Sequence, residues 1–366
     1  MLIAPMPEFL SATINVLIGI GLLFGGGELF VQGAVALAVI FGIPQLVIGL
    51  TVVALGTSAP ELFVSLSSVS QGSDALAVSN AVGSNIFNVM VVLGASALVL
   101  PLRVESRLVR RDVPLLIAIS AAVWGMGSAG RLTWQAGVAL LLGLVINTIW
   151  EIRTAREQPD DSGDAEPDID ADAGQGGWTL AIFKLIGGIA VLTIGSRVLV
   201  SGAVDAATLL GVSEAVIGLT IVSAGTSMPE LITSLVAALR GKTDLAIGNV
   251  VGSCLLNLTL VLGGGAVATA SSGLSVGPEL IRDDLPVMLL TSLACLPIFW
   301  TKGQISRVEG GLLLGLYVLY IVDNVLPRTT LSSWSDEFRL VMLCLVLPVV
   351  MVVIFIQALM YWRTSR

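Results

Sequence analysis

Apolar residues fill this chain in long blocks separated by short polar turns, and most blocks are long enough to cross a lipid bilayer, which takes about 20 residues. The pattern predicts helical spans at 12–40, 46–70, 75–99, 112–128 and 132–152. After an acidic stretch it predicts five more, at 178–208, 214–239, 244–270, 284–300 and 305–325, and an eleventh at about 338–362. No basic segment and no clear cleavage site accompanies the first block, so it reads as a retained span. The expected fold class is an all-α polytopic membrane protein.

Polar positions inside the blocks recur as strongly as the apolar ones. VIGLTVVALGTSAPELFVSL, from Val47, aligns without gaps on VIGLTIVSAGTSMPELITSL, from Val216, with fourteen of twenty positions identical. The same offset carries Asn80, Gly83, Ser84 and Asn88 onto Asn249, Gly252, Ser253 and Asn257. With a shifted offset, Arg110-Arg111-Asp112-Val113-Pro114 matches Arg282-Asp283-Asp284-Leu285-Pro286. The organisation is then a first five-helix repeat (1–154), an acidic cytoplasmic linker (155–177), a second five-helix repeat (178–326) and an extra C-terminal transmembrane helix (327–366).

Five is odd, so the second repeat enters the membrane from the opposite side. An N-terminus placed outside puts thirteen Lys and Arg on the inner side and four on the outer, the direction the positive-inside rule requires. One pair of repeat mates shows the inversion directly: Ser73 falls in an outer loop and Lys242 in an inner one. Inverted repeats are characteristic of secondary transporters, whose sites lie at the repeat interface near mid-membrane. The predicted location is the cell (inner or plasma) membrane, with the acidic linker and the C-terminus cytoplasmic.

Composition sharpens this picture. Hydrophobic residues are 55% of the 366 and charged residues 12%, where a soluble domain carries roughly 25% charge. A soluble enzyme, a nucleic-acid binder and a disordered scaffold are excluded, and the lipid bilayer is the expected surrounding. The net charge of −8 is local, because eight of the 26 acids lie between Glu157 and Asp172 and the remaining 18 match 18 Lys and Arg. That linker lacks the glycine and terminal glutamate of an EF-hand and reads as a solvated tether. There is no histidine, which removes the commonest acid/base side chain and metal ligand. Cys254, Cys295 and Cys344 stand singly in apolar runs and read as buried packing.

The candidate chemistry sits on the repeated motif. Glu61 and Glu230 are repeat mates deep in apolar spans, where a carboxylate marks a functional site by default. Neither has a basic partner nearby in its helix, so two acids converging across the repeat need a cation or protons between them. Each follows a proline, and Pro60 and Pro229 lack an N–H, freeing carbonyls near Gly56 and Thr57 and near Gly225 and Thr226. Such carbonyls are tolerated at membrane depth only when protein, water or an ion satisfies them. Thr57, Glu61 and Ser65 share one helix face, as do Thr226, Glu230 and Ser234, and the stripes Asn80-Ser84-Asn88 and Asn249-Ser253-Asn257 follow. Carboxylate, hydroxyl, amide and carbonyl oxygens, without nitrogen or sulfur, suit Ca²⁺, and Na⁺ by the same hard-ligand logic.

The paired GTS-x-PE helices, each followed by a GS-x-x-x-N helix, resemble the α-repeats of the sodium/calcium exchanger family, within the cation/calcium antiporter superfamily. The resemblance spans roughly residues 10–325. It implies a ten-helix inverted-repeat core, Ca²⁺ efflux driven by Na⁺ influx, and no cofactor beyond these transported ions. It implies Ca²⁺ between Glu61 and Glu230 with the carbonyls of Thr57 and Thr226. It draws Na⁺ ligands from Ala54, Thr57, Ser58, Glu61, Ser84, Ser223, Thr226, Ser227, Glu230 and Ser253, with Asn88 and Asn257 lining the centre. It also implies alternating access by sliding of the first span of each half. Three departures stand out. Asn257 stands where some members carry an acid, which limits fixed charge to about −2 and argues against K⁺ co-transport. Cys254 replaces the asparagine expected from Asn85. The eleventh span lies beyond the ten-helix core.

The electrostatics give exchange directly. One Ca²⁺, two Na⁺ with further Na⁺ on hydroxyls and carbonyls, or two protons neutralise the two glutamates, and occupancy is mutually exclusive. A Ca²⁺/H⁺ antiporter is the nearest alternative, and the hydroxyl-rich stripes favour Na⁺. A cation channel fits duplicated broken helices less well, and a serine hydrolase lacks histidine and any GxSxG or HExxH motif. Glu28 and Arg197, repeat mates in the first and sixth spans, are expected to pair or to face water where those helices meet.

Overall fold

The computed structural model describes residues 6–157, 177–210, 223–269, 272–300, 303–328 and 332–341, with Cys344 and Val352. Helices dominate. They are α1 (Met6–Phe41), α2 (Gln45–Thr57 and Ala59–Ser70, two limbs), α3 (Asp74–Val99), α4 (Val113–Gly127) and α5 (Trp134–Glu157) in the first half. In the second half they are α6 (Gly177–Leu209), α7 (Ser223–Thr226 and Met228–Leu239, two limbs), α8 (Thr243–Ala268), α9 (Leu280–Trp300) and α10 (Arg307–Val325), followed by the short α11 (Ser335–Val341). Among the described residues, seven single helices and the bent α2 pair are long and apolar enough to cross a membrane. Most of the predicted eleventh span and the acidic linker lie outside the described residues.

Two kinds of helix emerge. α8 and α3 are the most enclosed, whereas α1, α5 and α10 expose most of their surface. Outward-facing Leu17, Phe63, Ile146 and Phe183 are the side chains a bilayer would solvate. α1 has 36 residues, about 54 Å of helix against about 30 Å of hydrocarbon, so it must tilt or protrude.

α1 and α6 run antiparallel in extensive contact. Gly19, Gly26 and Gly33 meet the backbone of Leu199, Leu192 and Leu185, and a Cβ on Gly19 would lie 2.6 Å from Leu199 N. Their repeat mates Gly188, Gly195 and Gly202 meet Phe30, Leu23 and Ala12 in the same way. Glycine at seven-residue spacing on both helices lets the backbones approach without interlocking side chains.

Two antiparallel ribbons join the halves. β1 (Leu102–Arg103) pairs with β4 (Gln304–Ile305), and β2 (Arg131–Leu132) pairs with β3 (Leu274–Ser275). Each ribbon links a turn of one half to a turn of the other, so the α3–α4 and α9–α10 turns share one face and the α4–α5 and α8–α9 turns share another. An inverted repeat demands this sidedness.

Cys254 and Cys295 are buried as expected, but Cys344 is exposed. It lies after α10, outside the packed core, and an apolar run in the sequence does not by itself separate an exposed position from a buried one.

Candidate ion site

The site is built where two helices break. α2 stops at Thr57 and restarts at Ala59, turning by 43°. Ser58 between them has φ −81° and ψ 3°, and Pro60, without an N–H, sits in the first turn of the second limb. α7 repeats this geometry at Ser227, with φ −91° and ψ 9°, ahead of Pro229. Glu61 and Glu230 therefore lie in the first turns of new helices, at their positive dipole ends, where a carboxylate is favoured.

Both glutamates are fully buried, as is Ser227, and Thr57 and Ser58 nearly so. The two halves hold each other's acids. Ser58 Oγ donates to Glu230 Oε1 at 3.1 Å, and Ser227 Oγ donates to Glu61 Oε1 at 2.9 Å. Ser227 Oγ also lies 3.0 Å from Ser84 Oγ, and Thr57 Oγ1 lies 3.4 Å from Ser253 Oγ. Glu61 Oε2 and Glu230 Oε2 are buried without a hydrogen-bond partner among the described residues. So are both polar side-chain atoms of Asn88 and of Asn257, which begin π-helical turns (Asn88–Val92 and Asn257–Val261) in the middle of α3 and α8. Buried oxygens without partners cost a few kcal/mol each, and a cation repays that cost at carboxylate and amide oxygens.

Of the twelve residues singled out from the sequence, Thr57, Ser58, Glu61, Ser84, Thr226, Ser227, Glu230 and Ser253 meet around the two helix breaks. The Ala54 carbonyl lies one turn back, accepting from Ser58 N at 2.9 Å and from Thr57 Oγ1 at 3.3 Å. Ser223 opens the first limb of α7, and its side chain lies outside the described residues.

Asn80 and Asn249, read from the sequence only as members of polar stripes, turn out to be brackets. Asn80 Nδ2 donates to the Glu61 carbonyl (3.3 Å) and to Ser65 Oγ (3.2 Å), while its Oδ1 accepts from Thr226 Oγ1 of the other half (3.4 Å). Asn249 does the same for the Glu230 carbonyl (3.3 Å), Ser234 (2.9 Å) and Thr57 (3.0 Å). The four-residue spacing of the stripes was the signal. What it lacked was the knowledge that the amide reaches between halves.

The departure at Cys254 falls on the pseudo-twofold axis. Asn85 Nδ2 donates to the Cys254 carbonyl at 3.2 Å, and Cys254 Sγ lies 3.9 Å from the Asn85 carbonyl. A thiol keeps a weak form of the bond an asparagine would make there.

Pairing of Glu28 with Arg197 does not occur. Glu28 accepts from Gln32 at 2.7 Å and forms an ion pair with Arg240, whereas Arg197 is exposed and has no ion-pair partner among the described residues. α1 and α6 do meet, but their closest approach sets glycine against backbone, and neither Glu28 nor Arg197 bridges it.

Comparisons with known proteins bear on the family and the fold. The family described as sodium/calcium exchanger protein matches residues 11–153 and 180–325. The chain is 38% identical to the putative antiporter CaxA of Alkalimonas amylolytica over 315 residues, 85% of this chain and 98% of the relative. It is 32% identical to the sodium/calcium exchanger MaX1 of Methanosarcina acetivorans, covering 85% and 98%. It also matches a solved structure of the sodium-calcium exchanger NCX_Mj soaked with 10 mM Na⁺ and 10 mM Sr²⁺, with TM-score 0.72, 29% identity and coverage of 85% and 98%.

Proposed function

From a chain that belongs to the sodium/calcium exchanger family, and is thus a multi-pass cation/calcium antiporter and not an enzyme, we propose Na⁺/Ca²⁺ exchange at one shared site. Ca²⁺ binds between Glu61 and Glu230 with the carbonyls of Thr57 and Thr226. Na⁺ takes the same carboxylates together with oxygens of Ala54, Ser58, Ser84, Ser223, Ser227 and Ser253, and Asn88 and Asn257 line the centre. The observation that carries this reading is the pair of buried Oε2 atoms without partners, each on a glutamate whose Oε1 is held by a serine of the opposite half. Ser58 and Ser227 fix the acids in place and leave one oxygen of each for a cation.

Two carboxylates carry about −2, which one Ca²⁺ or two Na⁺ balance, so one cargo displaces the other without a second site. Glycine contact between α1 and α6 supports alternating access by sliding of this pair over the enclosed α3 and α8 core. The ribbon pairing and the loop charges support the inverted five-plus-five arrangement, with the N-terminus outside and the linker cytoplasmic.

The test is ⁴⁵Ca²⁺ uptake into proteoliposomes under an opposed Na⁺ gradient with pH clamped on both sides. Wild type accumulates Ca²⁺, and Glu61→Gln and Glu230→Gln each lower uptake by about 100-fold or more, the penalty for removing a buried charge partner. Uptake that persists with both glutamates neutralised overturns the site. Uptake driven by a pH gradient and indifferent to Na⁺ overturns the choice of Na⁺.

A further inference from the structure

The long helices α1 and α6 are tied to the core at one end by side chains that take no part in the candidate ion site. Lys184 Nζ on α6 donates to Gln32 Oε1 on α1 at 3.0 Å. Gln32 Nε2 donates to Glu28 Oε1 at 2.7 Å, and Arg240 pairs with the same carboxylate. Arg240 directly follows the last residue of α7, the helix whose first turn carries Glu230. The chain of polar contacts therefore runs from α6 through α1 to the far end of a site helix. Glu28 and Arg240 are each a little over a third exposed, so the pair is reachable and breakable.

The repeat makes this contact informative, because its counterpart is missing. The repeat mates of Lys184, Gln32, Glu28 and Arg240 are Asn15, Ser201, Arg197 and Gln71. Arg197 is exposed without an ion pair among the described residues, and Gln71 Nε2 donates to Ser67 O (3.1 Å) and Ser67 Oγ (2.9 Å) on its own helix. In an inverted repeat the two access states arise by exchanging the conformations of the halves. The exchanged state sets Arg197 toward Gln71, where no ion pair can form. A contact present in one state and absent from the other shifts the equilibrium by its own free energy and no more.

We propose that the Glu28–Arg240 ion pair, extended by Gln32 and Lys184, is a one-sided latch that weights alternating access toward the register of α1 and α6 on the core seen here. This rests on the sliding motion given above. It predicts that the two access states are unequally populated even with identical ions on both sides. A partly exposed ion pair is worth a factor of about two to five in that population.

The test uses the full chain in lipid, with Cys344→Ser and spin labels on Phe41→Cys and Leu239→Cys. Both labelled residues are exposed, and the other two cysteines are buried. Pulsed electron–electron double resonance reads the distance between the end of α1 and the end of α7. In Glu28→Gln and in Arg240→Gln the minority distance grows about two- to fivefold relative to the majority. The swapped variant Glu28→Arg/Arg240→Glu restores the starting ratio, and Arg197→Gln leaves it unchanged. Unaltered distances in both single variants, or a swap that fails to restore them, overturn the latch. A wild type without Na⁺-driven Ca²⁺ uptake sinks the exchange reading, and the distances still decide on the latch.

Discussion

The centre of the molecule obeys the twofold repeat, and its ends do not. At the centre the mates make equal contacts: Ser58 on Glu230 and Ser227 on Glu61 (3.1 and 2.9 Å), Asn80 on the Glu61 carbonyl and Asn249 on the Glu230 carbonyl (both 3.3 Å). At the end bearing the β1–β4 ribbon, Arg107 and Arg111 both pair with buried Glu151, Arg111 reaches Asp112 at 3.0 Å, and its guanidinium stacks 3.4 Å from the Trp150 ring centroid. The ribbon register gives the counterparts of Arg107, Arg111 and Glu151 at the other end as Glu279, Asp283 and Asn324. There acids line a cavity of about 610 Å³, Tyr320 donates to Asp284 at 2.8 Å, Arg282 pairs with Asp283 at 3.0 Å, and a second cation, Arg339 of α11, comes from outside the repeat. Under the proposed exchange, a site that holds the same ions from both sides keeps both copies alike. The ends face different surroundings, and each copy has diverged to suit its own.

The contrast breaks most sharply at Glu151. Glu151→Ala leaves Arg107 and Arg111, both mostly buried, to share the single carboxylate of Asp112, and loss of one member of a buried ion network costs about 3–5 kcal/mol. Its counterpart change, Asn324→Ala, removes a neutral amide and costs about 1 kcal/mol. Thermal unfolding in detergent reads both. Equal losses of stability mean that the two ends are not built differently. The centre makes the opposite demand. Ser58→Ala and Ser227→Ala each remove one hydrogen bond to a carboxylate, worth about 1.5–3 kcal/mol. Each should raise the half-saturating Ca²⁺ concentration about tenfold or more, with the two values within about twofold of one another. Strongly unequal values place the ion off the twofold axis.

Much of this was legible in the sequence, for physical reasons. A bilayer imposes long apolar spans, so nine of the predicted blocks coincide with described helices or helix pairs, and a tenth, 214–239, does so from Ser223 onward. Polar residues are expensive at that depth, so Glu61, Glu230 and the hydroxyls around them stood out against an apolar background. Ser58 was legible as part of a motif, but the sequence was silent that it serves Glu230 in place of its neighbour Glu61, because contacts between halves depend on how broken helices cross. The pairing of Glu28 with Arg197, one of the two expected outcomes, failed for a related reason. Repeat symmetry suggested Arg197, yet the α1–α6 seam is filled by Gly19, Gly26 and Gly33 and their mates, which leaves no room for a charged pair, and Glu28 turned to Arg240 on a third helix. Cys344 was misread because an apolar run does not by itself separate an exposed position from a buried one.

That glycine seam sharpens the comparison a second time, because it belongs to the symmetric part. Gly19→Ala sets a Cβ 2.6 Å from Leu199 N, and Gly188→Ala sets one 2.7 Å from the Phe30 backbone. Each forces α1 and α6 apart and costs about 1–3 kcal/mol. The two losses should agree, and in both variants transport should slow, because the same seam holds together the pair proposed to slide over the α3 and α8 core. A fall in stability without a change in transport rate separates packing from motion and removes the seam from the mechanism.

The smallest expected effect lies at Arg339, and its smallness is the point. Its ion pairs with Asp323 (3.0 Å) and Asp283 (3.4 Å) join partly exposed groups, and such pairs contribute about 0.2–1 kcal/mol. Arg339→Gln should barely move the unfolding temperature. The arginines at the opposite end meet a buried glutamate, so Arg111→Gln should cost several times more. Salt separates the two further, since exposed pairs are screened within about 10 Å at 0.1 M ionic strength and buried ones much less. Raising the salt concentration should erase the difference between wild type and Arg339→Gln while leaving that between wild type and Arg111→Gln largely intact. If Arg339→Gln proves as costly as Arg111→Gln and equally indifferent to salt, the α11 contact is a structural element of the same rank as the inner network. The segment after α10 would then have to be counted as part of the core.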